Sequence, residues 1–173
     1  MLIALISRTG GDLIDDWSYD SAAPFNAGVE LESTEENLEN LIKGGESETL
    51  EFKEKEPPKT DLLRTISAFA NSNGGRLLIG VNDNGEIVGC ELAKLADKFR
   101  DIVHAHCDPF PRFTTTPVAI RDTNIVVVSV EEGADKPYLV TDQGIYVRIG
   151  ATTRRANRYE LDRFYAGKQA GAS

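Results

Sequence analysis

Four short segments in a fixed order constrain this chain more than any other feature of its sequence. They are ESETLEFK (Glu46 to Lys53), AFANSNGG (Ala68 to Gly75), LLIGVNDNGEIVG (Leu77 to Gly89) and IYVRIGATTRRA (Ile145 to Ala156). In the first, Leu50 and Phe52 alternate with Thr49, Glu51 and Lys53, the period of a strand with one apolar face. Leu63, Ile66, Phe69 and Ala70 follow at helical spacing, with Thr60 placed to cap that helix and Asn73-Gly74-Gly75 to end it. Arg76 to Val81 is strand-like again, and Asn84-Gly85 predicts a type I′ turn through which Glu86 to Val88 pairs back. Strand, helix and strand at this spacing fit one compact core.

The remaining elements extend the pattern. Ser33 and Glu36 form an S-x-x-E capping box ahead of Leu38, Leu41 and Ile42. A third helix carries Leu92, Leu95, Phe99, Ile102 and Val103 on one face, and Asp108 to Pro111 breaks it. Phe113 to Arg121 and Ile125 to Val130 form a hairpin around Asp122-Thr123-Asn124. Short strands at Tyr138 to Val140 and Ile145 to Ile149 flank Asp142-Gln143-Gly144, and a Gly-Ala-Thr-Thr turn follows. A last helix begins near Asn157, capped N-x-x-E by Glu160, and carries Leu161 and Phe164. The expected fold class is α+β, a mixed, largely antiparallel sheet packed by about three helices. The expected organisation is an acidic extension or linker over 1–34, one domain over 35–168 and a flexible tail over 169–173.

Composition narrows the function classes. The 173 residues are 40% hydrophobic, enough for one sizeable core. No apolar run approaches the ~20 residues that span a bilayer, and MLIALISRTGG lacks a basic n-region and a small-residue cleavage site. No membrane partner and a cytoplasmic location are therefore expected. Cys90 and Cys107 are too far apart for a close-spaced ligand or redox pair. The net charge of −9 opposes non-specific binding to phosphates. It is unevenly spread, however. Residues 1–57 carry 14 acidic and 4 basic side chains, whereas residues 58–173 carry 14 acidic and 15 basic ones. Arg148 to Lys168 holds six basic residues against Glu160 and Asp162.

The motif set E-(x)4-EFK, AFAN-x-x-GG, LLIGV-x-D-x-G-x-I-x-G and Y-x-R-x-G-x-x-T resembles the Schlafen-type AlbA-like domain, a family also called divergent AAA or DNA-binding. The likeness covers about residues 36 to 166. It implies an α+β nucleic-acid-binding module, in bacteria usually joined to helix-turn-helix or other regulatory segments, so further domains in a longer native chain are expected. Some animal relatives are metal-dependent endoribonucleases with three carboxylates. Carried over by motif, those fall on Glu46, Glu51 and Asp83, which the resemblance makes catalytic and metal-ligating candidates. Asn82 stands where animal members often carry a second Asp. The animal enzymes use two lobes in tandem and this chain holds one, so nuclease activity would call for a homodimer.

Each candidate has a plain structural role beside its chemical one. Glu46, Glu51 and Asp83 could offer oxygen ligands to Mg2+ or Mn2+, or could be a solvated strand face and a turn. Asn71 and the Gly pair could approach a phosphate or cap a helix. His104 and His106 lack a partner at zinc spacing. No G-x-x-x-x-G-K-[ST] exists, so no ATP is expected. Arg148, Arg154, Arg155 and Arg158, helped by Lys53, could grip phosphates in forked pairs, or could pair with the acidic front of the chain; Tyr146 and Tyr159 could stack on bases or fit core and edge positions. The leading expectation is a nucleic-acid-binding domain, for RNA or DNA, of a bacterial regulatory or defence protein, needing no cofactor to bind. The alternatives are a Mg2+- or Mn2+-dependent endoribonuclease and a non-catalytic dimerisation module that pairs a β edge.

Overall fold

The computed structural model describes residues 35–91 and 94–170. The acidic 1–34 segment, the Ser33 cap, Leu92 and the last three residues lie outside the described residues. Helix α1 (Glu35–Lys43) leads to β1 (Leu50–Lys53), α2 (Lys59–Asn71) and β2 (Gly75–Ile79). Next come α3 (Leu95–His106), β3 (Cys107–Asp108), β4 (Phe113–Ile120) and β5 (Thr123–Val130). The chain continues through β6 (Leu139–Val140), β7 (Gly144–Ile149), β8 (Thr152–Arg155) and α4 (Arg158–Ala170), so helix continues into the expected tail.

The α+β class and the largely antiparallel pairing are observed, divided between two four-stranded sheets. The first has the order β1-β2-β5-β4 and the second β3-β6-β7-β8. Strands β1 and β2 run parallel, Leu50 opposite Arg76 and Lys53 opposite Ile79, joined by α2 as the crossover. Alternation sends the first sheet's apolar side chains to both faces. Leu77, Ile79, Val126, Val128 and Val130 join Leu63, Ile66 and Phe69 of α2 and Phe99 and Val103 of α3. Leu50, Phe52, Leu78, Ile125 and Val127 form a second cluster with Leu38 and Ile42 of α1. The second sheet covers α2 from another side through Tyr138, Val140 and Tyr146. Helix α2 is consequently buried almost all round over its last turns.

Three local expectations are corrected. Glu86 to Val88 pairs back only past the end of β2, through the Val81–Ile87 bridge and the bonds from the Asn82 amide to Glu86 and from the Val88 amide to Gly80, while β2 itself pairs with β1 and β5. The intervening turn is organised by Asn82, whose Oδ1 accepts the amides of Asn84 and Glu86, both at 3.0 Å. Gly85 has positive φ and Asn84 does not, so the turn is not type I′. Helix α2 starts after Pro58 with no side-chain cap, so Thr60 does not cap it. The Gly-Ala-Thr-Thr turn is shorter than expected: Gly150 and Ala151 make it, and Thr152 and Thr153 already belong to β8, which pairs Arg148 with Thr153 and Tyr146 with Arg155. At the end of α2, Gly74 takes φ of +72°, and a Cβ there would lie 2.8 Å from the Val130 carbonyl oxygen. The glycine lets the chain turn tightly from α2 into β2.

Candidate nucleic-acid interface

Five candidate cations were drawn from sequence, and the structure separates them. Arg148 shares its face of β7 with Tyr146, and both point toward α2. Its side chain is 0% exposed. Nη1 donates to Glu51 Oε2 at 2.6 Å and to Thr153 Oγ1 at 3.0 Å. Nη2 donates to the carbonyls of Ser47 at 2.6 Å and Leu50 at 3.2 Å. The guanidinium carbon lies 5.0 Å from the centre of the Phe69 ring. This arginine is an internal tie between β7, β1 and the turn before β1. The expectation that it grips phosphate is corrected: its donors are spent and it has no contact with solvent.

The carboxylates are likewise occupied. Glu51 receives Arg148 on one oxygen and Lys53 Nζ, at 2.6 Å, on the other. Glu46 Oε1 accepts the Phe52 amide at 2.8 Å. Asp83 is exposed on the turn organised by Asn82. Among the described residues no group of three His, Cys, Asp or Glu side chains is placed to hold a metal ion. A hard divalent cation needs several oxygens converging on one point, and Glu51 already neutralises two cations. Glu46, Glu51 and Asp83 therefore do not fit a Mg2+ or Mn2+ site in this arrangement, and the three-carboxylate expectation is corrected. Asn71 does not face a ligand either. It is buried, donating to the carbonyls of Tyr138 and Tyr146, both at 2.9 Å, and accepting the Tyr138 amide at 2.7 Å.

The corner where β8 meets α4 differs. Asn157 and Glu160 cap α4 reciprocally, the Asn157 amide donating to Glu160 Oε2 at 2.8 Å and the Glu160 amide to Asn157 Oδ1 at 3.0 Å. Arg154 meets the same carboxylate with both terminal nitrogens, at 2.9 and 2.8 Å. That forked pair fixes the strand against the helix. Arg155 and Arg158 are both exposed, and among the described residues neither has a carboxylate partner. Arg163, which sequence did not single out, lies with its guanidinium carbon 6.0 Å from the Tyr159 ring centre. The i, i+4 spacing on a helix was the available signal. A cleft of about 430 Å³ runs beside the corner, lined among others by Lys136, Glu160, Arg163 and Phe164.

The hydrogen bonds from Arg154 hold the Glu160 carboxyl below its ordinary value of 4.5, and the same pair raises the Arg154 guanidinium. A depressed carboxylate pKa contributes stability that is present above the ordinary value and lost as pH falls through the folded one. The melting-temperature gap between the wild type and Glu160→Gln should therefore stay constant above about 4.5 and shrink on further acidification. A gap unchanged across that range would remove the forked pair as its source.

The other ionisable candidates do not assemble a site. Burial pushes the Cys107 thiol up to about 12 and raises Cys90, and both are free. His104 is exposed beside Phe110 at the end of α3. No helix among the described residues is long and apolar enough to cross a membrane.

Comparison with known proteins bears on this geometry. A family described as Schlafen, AlbA_2 matches residues 46–157. The structure of the DIP2311 protein from Corynebacterium diphtheriae superposes with a TM-score of 0.52 at 22% identity, covering 68% of this chain and 23% of that one. This chain thus spans under a quarter of that protein's length, and the likeness is one of fold. The N-terminal domain of a RecG-related protein from Nitrosomonas europaea gives a TM-score of 0.46 at 25% identity, covering 72% of this chain and 94% of that domain. No curated protein matches.

Proposed function

Because the chain belongs to the Schlafen AlbA_2 family, we propose that it is a nucleic-acid-binding module of a bacterial regulatory or defence protein, contacting phosphates through the corner between β8 and α4. The observation that carries this is the exposure of Arg155 and Arg158, without carboxylate partners among the described residues, on a backbone fixed by the Arg154–Glu160 pair. Arg154 and Lys53 are each already paired, with Glu160 and with Glu51. Guanidiniums at such a corner grip phosphate oxygens in forked pairs and position a polynucleotide without reading its bases. The acidic net charge of −9 weakens the interaction, and the phosphate contacts make it salt-dependent.

Fluorescence anisotropy with labelled RNA and DNA across a salt series tests this. Binding should appear at low salt and fall as salt rises, with a log–log slope of about −1.8 on duplex DNA and about −1.4 on single strands if Arg155 and Arg158 each neutralise one phosphate. The double substitution Arg155→Glu with Arg158→Glu should reduce affinity at least about tenfold, since each reversal adds repulsion as well as removing a contact. Absence of binding at low salt, or an unchanged affinity in the double variant, would count against the proposal.

A further inference from the structure

Tyr159 is 70% exposed, the most exposed large aromatic side chain among the described residues. It lies in the first turn of α4, next in sequence to Arg158 and one turn before Arg163. Its ring is not needed for the fold, because α4 packs inward through Glu160, Leu161 and Phe164, which are half-buried. Nor is its backbone loose: the reciprocal cap at Asn157 and the forked pair from Arg154 hold this turn in place. An exposed aromatic ring on a fixed helical turn, with the Arg163 guanidinium over it and Arg158 and Arg155 close by in sequence, combines a flat apolar face with positive charge. Asp162, in the same helix, is exposed as well.

Building on the phosphate-binding corner above, we propose that Tyr159 is a base-stacking platform, so that the corner takes single-stranded nucleic acid in preference to duplex. The chemistry follows from what each strand offers. A paired base presents only its edge, its faces being covered by neighbours in the stack. An unpaired base can turn out and lay its face on the ring while the adjoining phosphates reach Arg155 and Arg158. Stacking of this kind tolerates any base, since every base has a π face. Arg163 then adds its plane on the other side of the same surface.

The test uses the full chain with short labelled RNA and DNA single strands and their matched duplexes, at low salt. Tyr159→Ala should weaken single-strand binding about tenfold and change duplex binding less than about twofold. Tyr159→Phe, which keeps the ring, should retain single-strand affinity, and 2-aminopurine in the strand should change its fluorescence with the wild type but not with Tyr159→Ala. RNA and DNA arms identify the sugar, and preference for either single strand supports the platform. Duplex bound as tightly as single strand, or a Tyr159→Ala variant with unchanged single-strand affinity, overturns it. If Arg155→Glu with Arg158→Glu weakens both forms while Tyr159→Ala changes nothing, stacking alone fails. If neither variant matters, the phosphate-binding corner fails with it.

Discussion

Replacing Arg148 with methionine should destabilise the protein by about 3–5 kcal/mol, read as a lower urea midpoint with an unchanged slope. The magnitude comes from what the substitution leaves behind. Glu51, at 13% side-chain exposure, loses its buried partner and keeps only Lys53. The Ser47 carbonyl loses its 2.6 Å donor and Thr153 its partner. A mostly buried charge with one counter-ion gone costs far more than the pair was worth against an apolar replacement. For the same reason, pairing Arg148→Met with Glu51→Gln should recover about 1–2 kcal/mol of the loss. Lysine is a poor substitute, because one ammonium cannot reach the carboxylate and two carbonyls in the fork that Arg148 makes. A loss below about 1 kcal/mol in Arg148→Met would show that this network is dispensable.

Asn71 gives the second large effect. Asn71→Ala should cost about 3 kcal/mol, again measured by urea unfolding. The Tyr138 amide and the Tyr146 carbonyl would be left without their Asn71 partners, while the Tyr138 carbonyl would keep the Ser67 hydroxyl at 2.8 Å. Asn71→Asp is the sharper probe. Its carboxylate still accepts the Tyr138 amide, but it presents oxygen to the Tyr138 and Tyr146 carbonyls where nitrogen donated before. It should therefore be at least as damaging as alanine despite its matching shape. An Asp variant as stable as the wild type would mean the amide orientation is not what holds α2 to the second sheet.

These two residues also show where sequence was informative and where it was not. The alternation from Thr49 to Lys53 gave β1 its buried Leu50 and Phe52, and the N-x-x-E spacing at Asn157 gave the cap of α4 with both hydrogen bonds in place. Both signals are local. Strand β8 was hidden because Thr152 to Arg155 has no apolar residue; its pairing depends on β7 beside it. The pairing of β2 was hidden because Asn84-Gly85 signals a nearby turn, whereas the actual partners, β1 and β5, come from far along the chain. Arg148 was misplaced by its charge alone. Tyr146 and Arg148 are two residues apart in one strand and must share a face, so an inward Tyr146 carries Arg148 inward with it. Glu46, Glu51 and Asp83 could be picked out as acids, but whether three acids converge depends on tertiary placement and on the cations that reach them first.

The acceptance of the Phe52 amide by Glu46 has a consequence for self-association. Strand β1 ends the first sheet, and its outward donor there is already satisfied, so a strand from another molecule finds no free amide to ladder onto at that position. At the opposite border of the same sheet, Pro117 interrupts the row of donors along β4. The second sheet ends at β8, where two copies zipped side by side would bring Arg154 and Arg155 of each against those of the other. Polymerising growth by strand addition is thus discouraged on three of the four borders, and on β8 the same arginines that repel a second copy would attract a polyanion.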